Sequence, residues 1–470
     1  MLRLARPLLF VCFFVALTLP LPAADIQPVK YVFLFIGDGM SLPQRQMAQT
    51  YVQKTENRGL KINAMPYYVP MTTHAAGDQT VTDSAAAGTA MACGVKTKNG
   101  VLGLDVDGKR VESIAELAKK NGRKVGILTT VTINHATPAA FYAHVASRGS
   151  DYDIGLDLIA SGFDYFGGGG VAGYNNKDAE KYKGSIYDLA KEAGYTVCRT
   201  PETIKSLKPG VEKVLACGAS SYLPYAINGS KEGLRLADFT KQAIELLDNP
   251  QGFFMMVEGG QIDGACHDND AASAIGETID FDAAVSVAFD FAEKKPGEVL
   301  IVVTGDHETG ALCLGAVGHF QPELLTVQKV SRGTLASLTD KFVKDNKEEA
   351  TFAAYKTFIT EQCGLVFTEE GNWLRGNLNL TKEEMKELED DFALSKKAIV
   401  DNQGTKDKVT KTMIRILNSK SGVTWGTGGH SALPVITSTW GNQADKIVFG
   451  VRDNTDIGKL LKQAVSPMVR

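Results

Sequence analysis

KYVFLFIGDGM, residues 30–40, is a continuous apolar run closed by Gly-Asp-Gly. A run this short, without polar alternation, reads as a strand buried on both faces, and the Gly-Asp-Gly reads as the turn leaving its carboxyl end. The stretches Lys124 to Thr130, Gly252 to Val257 and Glu298 to Thr304 repeat the pattern. Helix-period segments such as Val111 to Lys120 and Phe281 to Lys294 lie between them. Buried strands alternating with helices predict an α/β fold, a central and mostly parallel sheet with helices on both faces.

Open α/β sheets bind ligands at the carboxyl ends of their strands, and here those ends are acidic. The first run ends at Asp38, the third at Glu258 and the fourth at Asp306-His307. Carboxylates converging at one edge are costly unless cations neutralise them. Asp263 and His267 follow Glu258 closely and add further oxygen and nitrogen ligands. Histidine with carboxylate suits zinc, and an all-oxygen set suits magnesium. Of the seven histidines, His135, His267, His307 and His430 adjoin glycine, threonine or acidic residues and are candidate ligands. His74, His144 and His319 read as ordinary hydrogen-bonded or surface histidines.

Thr82-Asp83-Ser84 precedes a small-residue helix that Gly94 would stop. Ser84 at its amino terminus can be a nucleophile facing an anion, because free backbone N–H groups and the helix dipole point there. It can equally belong to an ordinary helix cap. In His135-Ala-Thr137-Pro138, Thr137 is expected as N-cap and Pro138 as the first helical residue, with the helix running through Phe141 and His144 to about Arg148. Arg148 can grip two oxygens of a phosphate with its planar fork, or simply close the helix on the surface.

The formal charge of the 470-residue chain is −4, so no cationic excess advertises a nucleic-acid partner. Residues 1–23 read as a signal peptide: Arg3 and Arg6, an apolar run from Pro7 to Pro20, then small residues before Asp25. The run is shorter than the roughly 20 residues of a membrane span, so the mature protein is expected to be periplasmic or secreted, cleaved near Ala23. Six cysteines remain after Cys12 leaves, and in an oxidising compartment they predict one or two disulfides. Cys198 with Cys217 is the preferred pair because they bracket one short, turn-rich segment.

Residues 24–470 read as a single catalytic domain without linker or repeat. Composition changes over 320–424, where Thr381-Lys-Glu-Glu384 makes a capping box opening a charged helix to about Val400. This insertion reads as a lid or partner surface over the site, or as a solvated helical elaboration.

FIGDGM around Asp38, VTDSAAA around Ser84, HATPAA from His135, VEGGQID from Val257 and TGDHETG around Asp306 and His307 together resemble, in this order, the alkaline phosphatase family. The resemblance runs from about Tyr31 to Leu461 and is weak across the insertion. It implies one zinc held by Asp263, His267 and His430, the last in WGTGGH, and a second held by Asp38, Asp306 and His307. A magnesium would take Asp38, Thr137 and Glu258. By the same resemblance Ser84 is the nucleophile, forming a phosphoserine, and Arg148 grips phosphate near His135. It implies broad hydrolysis of phosphate monoesters by a homodimer. Two positions depart from the pattern of some relatives: His135 where an aspartate is found, and Gly264 where a lysine or histidine is found. They predict an altered third-metal preference or pH optimum. A related sulfatase would want a Cys-or-Ser-x-Pro-x-Arg motif, which is absent around Ser84.

Overall fold

The computed structural model describes residues 26–229, 233–368 and 378–467. The expected signal peptide and Cys12 lie outside the described residues. Eight strands, β1 (Tyr31–Gly37), β2 (Tyr67–Met71), β3 (Lys124–Thr129), β4 (Tyr165–Gly168), β5 (Thr196–Cys198), β6 (Val214–Cys217), β7 (Phe253–Gly259) and β8 (Val299–Gly305), join the strand Val435–Gly441 in one nine-stranded sheet. The order is β2, Val435–Gly441, β8, β1, β7, β3, β4, β6, β5. Val435–Gly441 runs antiparallel to both neighbours, and the other pairs are parallel.

The four apolar runs of the sequence are the centre of this sheet, and each feeds both faces. Phe33, Phe35, Met255, Val257, Ile301 and Val303 enter one core. Val32, Leu34, Phe254, Met256, Leu300 and Val302 enter the other. Successive side chains of a strand point to opposite faces, so a strand between two helical layers must be apolar throughout. Helices Leu42–Thr55, Leu236–Leu247 and Ala271–Glu293 cover the first face. Helices Ser84–Cys93, Ile114–Lys120, Asp151–Ser161 and Asn454–Ala464 cover the second.

Within 320–424 the helix expected after Thr381 runs Lys382–Val400. Its capping box is in place: Glu384 N–H donates to Thr381 Oγ1 (3.1 Å) and Thr381 N–H to Glu384 Oε2 (2.9 Å). Helices Arg332–Asn346, Phe352–Cys363 and Lys408–Ser421 pack beside it. Leu335, Tyr355, Phe392 and Met413 belong to the same continuous core as Phe33 and Phe35.

Two expectations need correction. The helix placed from Thr137 to Arg148 covers only Ala136–Ala139, with His135 at its N-cap position and Thr137 inside it. Pro138 still costs nothing, because first-turn N–H groups have no intrahelical partner. The chain then leaves the helix to pair with Leu102, whose N–H and C=O bond Val145 at 3.0 Å each, while Arg148 N–H donates to Gly100 O at 2.7 Å. The disulfides also fail: all six described cysteines are free thiols. Cys198 lies opposite Ala216 on adjacent strands, so Cys217 is one residue out of register. Cys198 therefore packs in one core and Cys217 in the other, on opposite sides of the sheet.

Candidate active site and metal centre

Strand register builds the site. Gly37 of β1 lies opposite Gly259 of β7 and Gly305 of β8, and Glu258 lies between Ile36 and Thr129. Three adjacent parallel strands thus end together, and Asp38, Glu258 and Asp306 meet at one buried edge, each fully buried. Gly39 makes the turn possible. Its φ is +70°, and a Cβ there would lie 2.8 Å from Asp263 Oδ1 and from Thr309 Oγ1.

His307 joins this cluster, its Nε2 3.2 Å from Asp306 Oδ2 and 3.4 Å from Asp38 Oδ1. Asp263 and His267, one helical turn apart, place Oδ2 and Nε2 3.2 Å apart. His430 arrives from far along the chain through a small antiparallel ladder in which it lies opposite Thr309 and Ser431 opposite Glu308. The buried Glu308 ties this ladder down, accepting from Gln44 Nε2 (2.8 Å), from the N–H groups of Ala311 and Leu312 (3.1 Å each) and from Ser431 Oγ. His430 Nε2 thereby comes to 3.2 Å from His267 Nε2, and its ring stacks on His307 with centroids 3.6 Å apart. Second contacts orient both rings: His267 Nδ1 faces Gly428 O at 2.7 Å and His430 Nδ1 faces Thr82 O at 2.8 Å. Each Nε2 is left toward the cluster, as in sites where a backbone carbonyl fixes a ligand histidine.

Ser84 opens the wholly buried helix Ser84–Cys93, with Asp83 as N-cap accepting from Ala86 N–H at 2.9 Å and Gly94 as left-handed stop. The helix is built from small residues because neighbours press against it. A Cβ on Gly88 would lie 3.1 Å from Ala140 Cβ and 3.4 Å from Thr137 Cα. Ser84 Oγ stands 3.3 Å from His307 Nε2. Arg148 donates from Nη1 to Asp83 Oδ2 (3.1 Å), and its Nη2 lies 3.1 Å from His135 Nε2. Thr137 Oγ1 lies 3.3 Å from Asp38 Oδ2. All eleven residues singled out in the sequence are thus gathered around one locus.

The electrostatics ask for cations. Burial, then the charges of Asp306, Asp263 and Glu258, push Asp38 well above the usual carboxylate range. Burial does the same to Asp306 and Glu258, each pushed up to about 7. Burial lowers His307 and His135 to about 4, leaving neutral imidazoles able to ligate. The hydrogen bond with Asp263 raises His267 to about 9, a sign that positive charge is stabilised at that spot. Asp38 Oδ1, Glu258 Oε1 and Asp306 Oδ2 are buried without a hydrogen bond, the two aspartate oxygens facing His307 Nε2 at 3.4 and 3.2 Å, although their sister oxygens are bonded. Three such orphans on one edge fit divalent cations and fit little else. Among the described residues, atoms close enough to share an ion occur in three groups: Asp38 with Asp306 and His307, Asp263 with His307 and His430, and Asp38 with His135 and Glu258.

Several contributors were not assigned from sequence. Thr309 donates to Asp263 Oδ1 and lies 3.2 Å from His307 Nδ1. Thr129 donates to Glu258 Oε2. Asp83 orients Arg148 as well as capping the helix. Thr309 and Asp83 lie inside the motifs already quoted, adjacent to assigned residues, but threonine and a capping aspartate carry no distinctive chemical signal. Cys266, beside His267, is a buried thiol that burial pushes well above its ordinary range, so it stays protonated. His144, as expected, is structural: its ring meets Gly103 O at 2.8 Å and Glu116 Oε1 at 3.0 Å.

Residues 29–466 match the alkaline phosphatase family profile. Alkaline phosphatase 4 of Bacillus subtilis is 33% identical over 464 residues, covering 93% of this chain and 90% of its own. A cold-active alkaline phosphatase from a psychrophilic Shewanella species superimposes with a TM-score of 0.78 at 26% identity, over 93% of this chain and 99% of its own. The alkaline phosphatase of the Antarctic bacterium TAB5, in a histidine-to-aspartate variant with magnesium bound in its M3 site, matches with a TM-score of 0.64 at 25% identity, over 94% of this chain and 99% of its own.

Proposed function

The chain belongs to the alkaline phosphatase family, metal-dependent hydrolases of phosphate monoesters, and on that premise we propose that its reaction passes through a phosphoserine on Ser84. The observation that carries this reading is the placement of Ser84 Oγ at a buried helix start, 3.3 Å from His307 Nε2 and beside carboxylate oxygens without partners. Arg148, held by Asp83, grips two non-bridging oxygens of the phosphoryl group, with His135 against its other terminal nitrogen. Ser84 Oγ attacks phosphorus in line, the bond to the alcohol oxygen breaks, and the alcohol departs with a proton. Water then attacks the phosphoserine from the vacated side, expelling Ser84 Oγ and releasing inorganic phosphate. Binding concentrates on the phosphoryl group common to all monoesters, which makes specificity broad.

Asp263, His267 and His430 would hold one zinc, Asp38, Asp306 and His307 a second, and Asp38, Thr137 and Glu258 a magnesium. When bound, these ions supply charge neutralisation, a lowered pKa for the attacking hydroxyls and stabilisation of the leaving oxygen. The partnerless oxygens of Asp38, Glu258 and Asp306 support this assignment. His135 stands within the group formed with Asp38 and Glu258, which supports an altered third-metal preference. Gly264 lacks a side chain, and the Tyr225 hydroxyl occupies the space beside it, 2.7 Å from where a Cβ would be.

Purified mature protein supplied with zinc and magnesium should hydrolyse p-nitrophenyl phosphate between pH 7 and 10, lose that activity with chelator, and lose it in Ser84→Ala. Mass spectrometry of acid-quenched enzyme should find one phosphoryl group on the Ser84 peptide. Full activity in Ser84→Ala would refute the covalent route. Metal analysis of parent and His135→Asp tests the third site, where an unchanged magnesium content would remove His135 from it. No helix among the described residues is long and apolar enough to cross a membrane. We propose export with cleavage near Ala23, to be read by N-terminal sequencing, and a homodimer, to be read by light scattering.

A further inference from the structure

A cavity of about 520 Å³ shares His267 with the active site. Its far wall comes from the 320–424 segment. Lys411, Ile414, Arg415 and Asn418 stand at i, i+3, i+4 and i+7 of helix Lys408–Ser421, on one face. Arg332 begins the neighbouring helix, and Trp425 forms the apolar side with Val423 buried behind it. Arg332 braces the cavity against the site: it is ion-paired with Asp268, the residue after His267, and with Asp407 at 2.7 Å. Asn418 Nδ2, on helix Lys408–Ser421, donates to Asn269 O at 2.7 Å, a second tie to the residues that follow His267. The cavity is therefore built onto the end of the helix Gln261–His267 and the residues that follow it.

The lining is cationic, with Arg332, Lys411 and Arg415 against Asp268 alone. Arg332 is committed to its two aspartates. Lys411 and Arg415 are more than half exposed, paired only with Asp407 and Glu387. Such exposed pairs hold weakly, so both cations can turn to a ligand at little cost.

We propose that this cavity receives the alcohol part of the substrate and favours phosphate monoesters whose leaving group has an aryl or apolar body bearing a second anionic group. The proposal rests on the hydrolytic reading of the site, since His267 is the residue shared by both. It gives the helical segment a role as the wall of a leaving-group pocket and superimposes a preference on the broad specificity that phosphoryl recognition confers. Trp425 contacts the body of the leaving group, and Lys411 and Arg415 meet its anion.

The test compares kcat/KM for 4-carboxyphenyl phosphate and phenyl phosphate, in the metal-loaded parent and in a Lys411→Ala, Arg415→Ala double variant. Both residues are exposed, so the variant folds. The ratio of the two constants should fall about fivefold or more in the variant, about 1 kcal/mol at 1.4 kcal/mol per tenfold. Added salt should lower the ratio in the parent and leave the variant's ratio unmoved. An unchanged ratio, or an equal fall for both substrates, overturns the pocket. No turnover of either substrate by the parent overturns the hydrolytic reading, and the pocket with it.

Discussion

Glu277 offers a clean test of how burial is tolerated in this fold. It lies on helix Ala271–Glu293, is 3% exposed, and accepts a hydrogen bond from Ala226 N–H at 2.6 Å. Burial, reinforced by the Asp280 carboxylate, pushes it from 4.5 up to about 8. Below about pH 4.5 it is protonated in both folded and unfolded chains and stability does not depend on it. As pH rises toward 8, the unfolded chain releases the proton that the folded chain retains, so stability falls across that window and levels off above it. At about 1.4 kcal/mol per pH unit the ceiling is about 5 kcal/mol, and relaxation around the charge reduces it to about 2–4 kcal/mol. Glu277→Gln keeps an acceptor for Ala226 and removes the titration. Guanidinium unfolding of metal-loaded parent and variant should give stabilities within about 1 kcal/mol at pH 5, and a variant about 2–4 kcal/mol more stable at pH 8.5. A difference that does not change between the two pH values, or a variant weaker at pH 8.5, would refute the reasoning.

Asp83→Asn preserves the helix cap but not the charge facing Arg148, so KM for p-nitrophenyl phosphate should rise about tenfold, and the melting temperature should fall because the amide NH2 cannot accept from Gly100 N–H as Oδ2 does. Asp83→Ala should in addition cost about 1 kcal/mol of stability, seen by calorimetry. Thr309→Val removes the hydroxyl that donates to Asp263 and adjoins His307. Competition with a chelator should show metal affinity lowered about 10-fold to 100-fold, with the secondary structure seen by circular dichroism unchanged. Gly39→Ala forces a side chain into a left-handed position 2.8 Å from Asp263 and Thr309. Metal content should drop in that variant, and retention of the parent's metal content would show that the turn is looser than its geometry implies.

The central sheet was legible because its strands are buried on both faces: YVFLFI and the interiors of its three counterparts carry no charged residue, and that composition has few other uses. The acids were legible for the same reason, since an aspartate directly after such a run stands at a strand end whatever the rest of the chain does. The helix Lys382–Val400 was legible from its own cap, a local interaction spanning four residues. Sequence could not say that β1 lies between β7 and β8, because strand order is decided by how helices cover the two faces; that order alone brings Asp38, Glu258 and Asp306 together. Nor could it stop the helix after Ala139, where pairing with Leu102 outweighs a favourable local start. The cysteines failed for a geometric reason, a one-residue offset between β5 and β6 that sends Cys198 and Cys217 to opposite cores. Local chemistry together with the family resemblance singled out the residues gathered here, while long-range pairing, with free energies that no short window of sequence contains, set their distances and built the cavity beside His267.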